Sequence, residues 1–176
     1  MTTLKWFSIP FLLFLATGCA QQEEKKENSH QEEVFIDNSG LFRGYVLGSS
    51  PDSVLAAEKW APAVANDSII EYRVPVYFSE DTVLLKAYLA FDTYGLFEVQ
   101  VDVFTMDDTL AETILDNWSA ALSTAFGEHE NLIAARRWTT FSESNNTVEI
   151  TLSQERNDQS QKFISLNYLE PLDDEY

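Results

Sequence analysis

Two periodicities organise the chain. In Phe97-Glu98-Val99-Gln100-Val101-Asp102-Val103 apolar residues recur at every second position, sending Phe97, Val99, Val101 and Val103 to one face and Glu98, Gln100 and Asp102 to the other. One buried and one wetted face is the pattern of an antiparallel strand. Thr147 to Gln154 repeats it with Val148, Ile150 and Leu152 inward, and Lys162 to Leu169 repeats it with Ile164, Leu166 and Tyr168. Ile69 to Phe78 reads as a further strand, and Pro75 within it, having no N–H, predicts an edge or a bulge. Thr82 to Phe91 is apolar on both sides apart from Lys86, which predicts a central strand covered on both faces. Ala134 to Phe141, containing Trp138, makes the sixth. Asp92-Thr93-Tyr94-Gly95 and Asn145-Asn146 supply turns, and residues 155–161 a polar loop.

The helical period appears twice. Leu110, Ile114, Trp118, Ala121, Leu122 and Ala125 form an apolar stripe. Thr109 to Glu112 matches a capping box behind Asp107 and Asp108, and Gly127 supplies a stop. A shorter helix opens at Ser50-Pro51-Asp52 and ends before Pro62, with Val54, Leu55 and Ala57 inward. The order α-β-β-β-α-β-β-β predicts an α+β fold of two layers, an antiparallel sheet of about six strands packed by two helices. The two halves read as an architectural pseudo-repeat with negligible identity between them.

The N-terminal residues have a different character. Lys5 precedes an apolar run from Trp6 to Ala16, too short to span a bilayer and ending in small residues, as a secretory signal does. The end, Leu15-Ala16-Thr17-Gly18-Cys19, resembles the lipobox of bacterial lipoproteins. The resemblance implies cleavage between Gly18 and Cys19, a diacylglyceryl group on the Cys19 sulfur and an acylated new N-terminus. Several acyl chains on one residue make a stable membrane anchor. Ala20, where an Asp would favour the inner membrane, implies the outer membrane, on its periplasmic or surface face. The domain organisation expected is a signal peptide over 1–18, a lipidated Cys and polar tether over 19–33, one globular domain over 34–170 and an acidic tail over 171–176. The tether has no aromatic residue, and its His30 reads as solvated.

The segment Gly48-Ser-Ser-Pro-Asp-Ser-Val, with the element order, is similar to the helix opening of small envelope lipoproteins, the outer-membrane-assembly and β-lactamase-inhibitor-like modules. The likeness implies an α+β fold built of α-β-β-β units. It implies little about function, since fold does not determine function.

Charge narrows the partners. Among 176 residues, 29 are acidic and 11 are Lys or Arg, a formal net charge of −18. Such a chain lacks the basic surface that displaces counterions from nucleic-acid phosphates. Residues 34–176 carry 24 acids and 8 bases, net −16. The partners expected are the membrane, through the lipid on Cys19, and a basic envelope protein. With 1 Cys there is no internal disulfide and no cysteine-rich metal site.

Catalytic signatures are scarce. His129 sits between Glu128 and Glu130, but zinc takes three or four protein ligands and no second His or Cys is at hand in the domain. The acid pairs Asp107/Asp108, Glu80/Asp81 and Asp173/Asp174 suit a helix start, a hairpin turn and a tail. Gly44 and Gly48 lack the Lys and preceding strand of a phosphate loop. No cofactor and no catalytic residue is assigned. Arg136 and Arg137 point to opposite faces of their strand, and a cross-strand acid is the expected partner of such an Arg. Most aromatic residues, Trp118 and Trp138 among them, are expected in the core. Tyr77, Tyr94 and Phe104, with Arg136 and Arg137, are the candidate partner contacts, because aromatic residues on a wetted face mark interfaces. Two functions follow: a protein-binding module of the envelope without catalysis, or a carboxylate-dependent hydrolase or carbohydrate-active protein using two acids of unequal pKa.

Overall fold

The computed structural model describes residues 39–78, 81–158 and 161–171. The signal peptide with Gly18, Cys19, the tether with His30, Glu80 and the tail after residue 171 lie outside the described residues.

The alternating segments become antiparallel strands. In chain order the elements are α1 (Pro51–Ala57), β1 (Val64–Ala65), β2 (Ile69–Phe78), β3 (Asp81–Asp92), β4 (Gly95–Thr105), α2 (Asp108–Phe126), β5 (Glu130–Asn131), β6 (Ala135–Phe141), β7 (Thr147–Arg156) and β8 (Lys162–Leu169). They form one sheet in the order β1-β2-β3-β4-β8-β7-β6-β5. Each half is a four-stranded meander, and the two last strands, β4 and β8, pair at the centre. The fold is α+β and dominated by its sheet. The sheet has eight strands rather than six, because two-residue strands β1 and β5 are added at its outer edges. Helix packing also differs from expectation. α2 lies across β4, β6, β7 and β8, whereas α1 buries only Val54 and leaves Leu55 and Ala57 exposed.

One sheet face holds the core. Ile70, Tyr72, Val76 and Phe78 from β2 meet Leu85, Ala87 and Leu89 from β3, Val99, Val101 and Val103 from β4, and Ile164, Leu166, Ile150 and Leu152 from β8 and β7. α2 adds Ala111, Ile114, Trp118 and Leu122, while Ala125 of the expected stripe is exposed. Its N-cap is Asp107 rather than Thr109: Asp107 Oδ1 accepts from Thr109 N at 2.7 Å and Leu110 N at 3.1 Å. Gly127 ends the helix at φ +87°, and its carbonyl accepts from Trp138 Nε1 at 3.1 Å.

Three strand details depart from simple alternation. A bulge opposite Ala90/Phe91 shifts the register of β4, so Leu96 is buried and Phe97 only half-buried. A one-residue slip exchanges the two faces of a strand. β3 is central, but the described residues cover only one of its faces, and Leu84 is exposed on the other. Pro75 lies where β2 has lost its outer neighbour, since β1 pairs only Ile70 and Glu71. The missing N–H therefore faces an edge that no described strand pairs.

The rest of the core face is sealed by residues 40–63, mostly non-helical. Gly48 N donates to Leu96 O at 2.7 Å and Leu96 N donates to Ser49 O at 2.9 Å, tying this strap to the start of β4. Gly95 permits the approach: its φ is +120°, and a Cβ there would sit 2.3 Å from the Gly48 carbonyl oxygen. Tyr168 Oη donates to Gly40 O at 2.8 Å.

Candidate functional site

The sheet face opposite α2 has no covering layer among the described residues. Register places its side chains in rows. One row runs Pro75, Leu84, Phe104, Phe163 across β2, β3, β4 and β8. At about 4.8 Å between strands, it is roughly 14 Å long. The Phe104 and Phe163 rings stack with centroids 5.2 Å apart, and Lys86 Nζ stands 4.7 Å from the Phe104 centroid. Leu84 is 42% exposed, and Tyr77, 47% exposed, lies one step further along β2.

Polar rows follow towards the other end. Arg73, Lys86, Asp102, Ser165 and Ser153 make the next, and Glu71, Tyr88, Gln100, Asn167, Thr151 and Arg137 the one after. Asp102 accepts from Ser165 Oγ at 2.7 Å, and Glu98 accepts from Asn167 Nδ2 at 3.0 Å. Glu71 accepts from Arg73 Nε at 2.5 Å, which holds its carboxyl below the usual range. The apolar row runs on to Glu155 of β7, the row next to it carries Arg73 and Lys86 beside Asp102, and beyond the second polar row Glu98 and Glu149 alternate with Ala90 and Leu169. Leu84 and Tyr77 are exposed and Phe104 and Phe163 half-buried, so their end of the face presents apolar surface with a polar border.

The candidate residues fall in different places. Tyr77 and Phe104 share the apolar end. Arg137 is on the same face at the far side of the sheet, where it pairs across strands with Glu130 at 2.6 Å, and that carboxylate raises its pKa. Arg136 is on the opposite face and pairs with Asp116 of α2 at 3.1 Å, a helix rather than a cross-strand partner. Tyr94, 86% exposed, occupies the β3–β4 turn at the other end of β3 from Tyr77. Asp92 Oδ1 makes that turn by accepting from Tyr94 N at 2.7 Å and Gly95 N at 3.1 Å. Sequence reasoning missed Leu84 and Phe163. The signal for Leu84 was present, an apolar residue on the even face of β3, but it was read as covered. No family model matches the chain, and no curated protein or solved structure matches it.

A second cluster lies in the strap. Glu58 ends α1 with its side chain 2% exposed and accepts five hydrogen bonds. Arg43 Nε and Nη2 donate at 2.8 Å each, Lys59 N at 2.6 Å, Trp60 N at 3.0 Å, and Tyr45 Oη completes the set. The Arg43 guanidinium stands 3.9 Å from the Trp60 ring centroid. Burial alone would raise the Glu58 pKa, but the hydrogen bonds from Arg43, Tyr45 and Trp60 outweigh it and hold the carboxyl below its ordinary value. Burial first, then the hydrogen bond to Glu58 and the Glu58 charge, push the Tyr45 phenol up, so it stays protonated. A carboxylate so fully engaged is a clamp and makes a poor base.

His129 is half-buried beside Trp138, with ring centroids 5.2 Å apart, and its Nε2 is 3.1 Å from Asn131 Oδ1. Among the described residues no group of three His, Cys, Asp or Glu could hold a metal ion, and no helix is long and apolar enough to cross a membrane.

Proposed function

We propose that this chain is a lipid-anchored protein of the bacterial cell envelope, held at the outer membrane through Cys19, whose folded domain binds another protein and catalyses no reaction. The observation that supports binding is the row Pro75, Leu84, Phe104 and Phe163 on an open sheet face, with Tyr77 beside it. Burying such a row removes apolar surface from water at about 25 cal/mol per Å². The net charge of −16 on residues 34–176 favours a basic partner and steers it at low salt. A two-carboxylate hydrolase needs two acids across a cleft. Among the described residues, the cavity beside Phe126 and the cavity beside His129 are lined by one acid each, Glu143 and Glu128.

Chemical cross-linking in membranes, at low and high salt, tests this reading. The parent should cross-link to a discrete basic partner, less so at high salt. A Leu84→Asp/Phe104→Asp double variant should lose that product, and Glu112→Lys on the exposed side of α2 should keep it. Equal recovery with all three chains would reject the open face as the interface. Cys19→Ser should abolish palmitate incorporation, and palmitate retained in that variant would reject the anchor.

A further inference from the structure

The two ends of the sheet are guarded differently. Beyond two-residue β1, the edge of β2 carries Arg73 and Pro75, a charge and a missing N–H, both of which discourage pairing with another chain. Beyond two-residue β5, the edge of β6 carries Thr139, Thr140 and Phe141, with no Pro, no charge and side chains that favour strands. The direction of its backbone groups follows from the bonds at its ends. Ala135 O accepts from Leu132 N at 2.8 Å on the β5 side, and Ser142 N donates to Asn146 O at 2.9 Å on the β7 side. In an antiparallel ladder the N–H and C=O of one residue point the same way, and the direction alternates along the strand. Arg137, Thr139 and Phe141 therefore face outward with Ala135. β5 pairs only Arg136 and Arg137, so the N–H and C=O groups of Thr139 and Phe141 lie along an edge that no described strand pairs.

A cavity of about 190 Å³ adjoins this edge on the helix side. Leu41, Leu47, Phe126 and Val148 line it, with Thr140 and the exposed Glu143 on the same wall. We propose that the edge of β6 takes an extra strand from a partner protein, an extended segment that pairs with Thr139 and Phe141, seats one apolar side chain in the cavity and carries basic residues around it. The backbone groups call for an extended peptide, because four main-chain bonds to Thr139 and Phe141 are what an added strand supplies. Register supplies the side chain: the residue opposite Thr140 shares its face, and Thr140 is on the cavity wall. The size agrees, because an apolar cavity of about 150 Å³ in another protein admits a benzene ring. Glu143 and the net charge of −16 on residues 34–176 select the basic flanks. This contact is separate from the row through Leu84 and Phe104 and does not depend on it.

NMR titration of the full chain with a synthetic peptide, alternating Leu and Thr between flanking lysines, tests the proposal. The Thr139 and Phe141 amides should gain protection from hydrogen exchange, and the Leu47 and Val148 methyl resonances should shift. Thr139→Pro removes an outward N–H and spares the β7 ladder, so it should weaken binding about tenfold with little change in melting temperature. Thr139→Val, which keeps that N–H, and Leu84→Asp/Phe104→Asp should bind as the parent does. No response at these amides and methyls with millimolar peptide at low salt would overturn the proposal, as would Thr139→Pro binding like the parent. Amides already protected without peptide would show the edge occupied, and a dimer that Thr139→Pro dissolves would assign it to a second copy of this chain; either overturns the proposal. Equal binding of a peptide with glutamates in place of the lysines would overturn the basic class of partner.

Discussion

The two halves of the molecule share an element order and seal the same sheet face by different physics. In the C-terminal half, α2 supplies 19 residues whose backbone groups satisfy one another, leaving Ile114, Trp118 and Leu122 to fill the core. In the N-terminal half, α1 supplies 7 residues and one buried side chain, Val54. The strap around it has backbone polar groups that must each find a partner. Glu58 takes two of its N–H groups, and Leu96 pairs with Gly48 and Ser49. A helical cover therefore rests on apolar packing, while a non-helical one rests on a buried carboxylate and on glycines at close approaches. The first should be indifferent to pH and the second should not.

The largest test removes the centre of the helical seal. Trp118 is fully buried among Ala111, Ile114 and Leu122. Trp118→Ala should cost about 3–5 kcal/mol, through lost transfer energy and the cavity left behind. The buried residues of α2 include no titratable group. Urea denaturation at pH 5 and pH 8 should therefore give the same difference between variant and parent. A difference that changes with pH would join the two seals into one electrostatic unit and end the contrast.

Glu58→Gln is the counterpart in the strap, with an expected cost of about 3 kcal/mol at pH 7. Removing one partner of a buried pair costs about 3–5 kcal/mol, and Arg43, 12% exposed, retains some access to water. The sign with pH follows from the lowered Glu58 pKa. The folded state gives up this proton more readily than the unfolded one, so the stabilisation is complete above the unfolded value, near 4.5. It is lost as pH falls through the folded value. Melting curves of parent and variant should hence converge below about pH 4.5. Curves that stay parallel to pH 3 would show that the clamp does not depend on the Glu58 charge.

Much of the sheet was legible because alternation is a long-range signal. Ile69–Phe78 and Lys162–Leu169 have the bounds read from their periodicity. β1 and β5, with two residues each, are too short to show any period. The exchange of Phe97 for Leu96 was hidden because a bulge breaks the count without changing composition. The clamp of Arg43, Tyr45 and Glu58 joins residues in a stretch without periodicity, where no local rule brings them together. On the open face, Tyr77 and Phe104 were readable as aromatics on wetted positions. Phe163 was not, because its place beside Phe104 depends on β8 pairing with β4, across the intervening α2 and three strands.

The finest form of the contrast is in the two helix caps. Asp107 accepts from two N–H groups at the head of a helix that buries Ala111, Ile114, Trp118, Ser119 and Leu122. Asp107→Ala should cost about 1 kcal/mol, the usual worth of a cap ahead of a helix that packs. Ser50 accepts from Ser53 N at 3.2 Å, and Pro51 behind it has no N–H to satisfy. Fraying α1 exposes Val54 alone, since the strap on either side is held by Glu58 and by the Gly48–Leu96 bond. Ser50→Ala should therefore cost about 0.5 kcal/mol or less. If thermal melts show Ser50→Ala to be as damaging as Asp107→Ala, α1 carries the N-terminal seal after all. The clamp would then hold a helix in place rather than substitute for one.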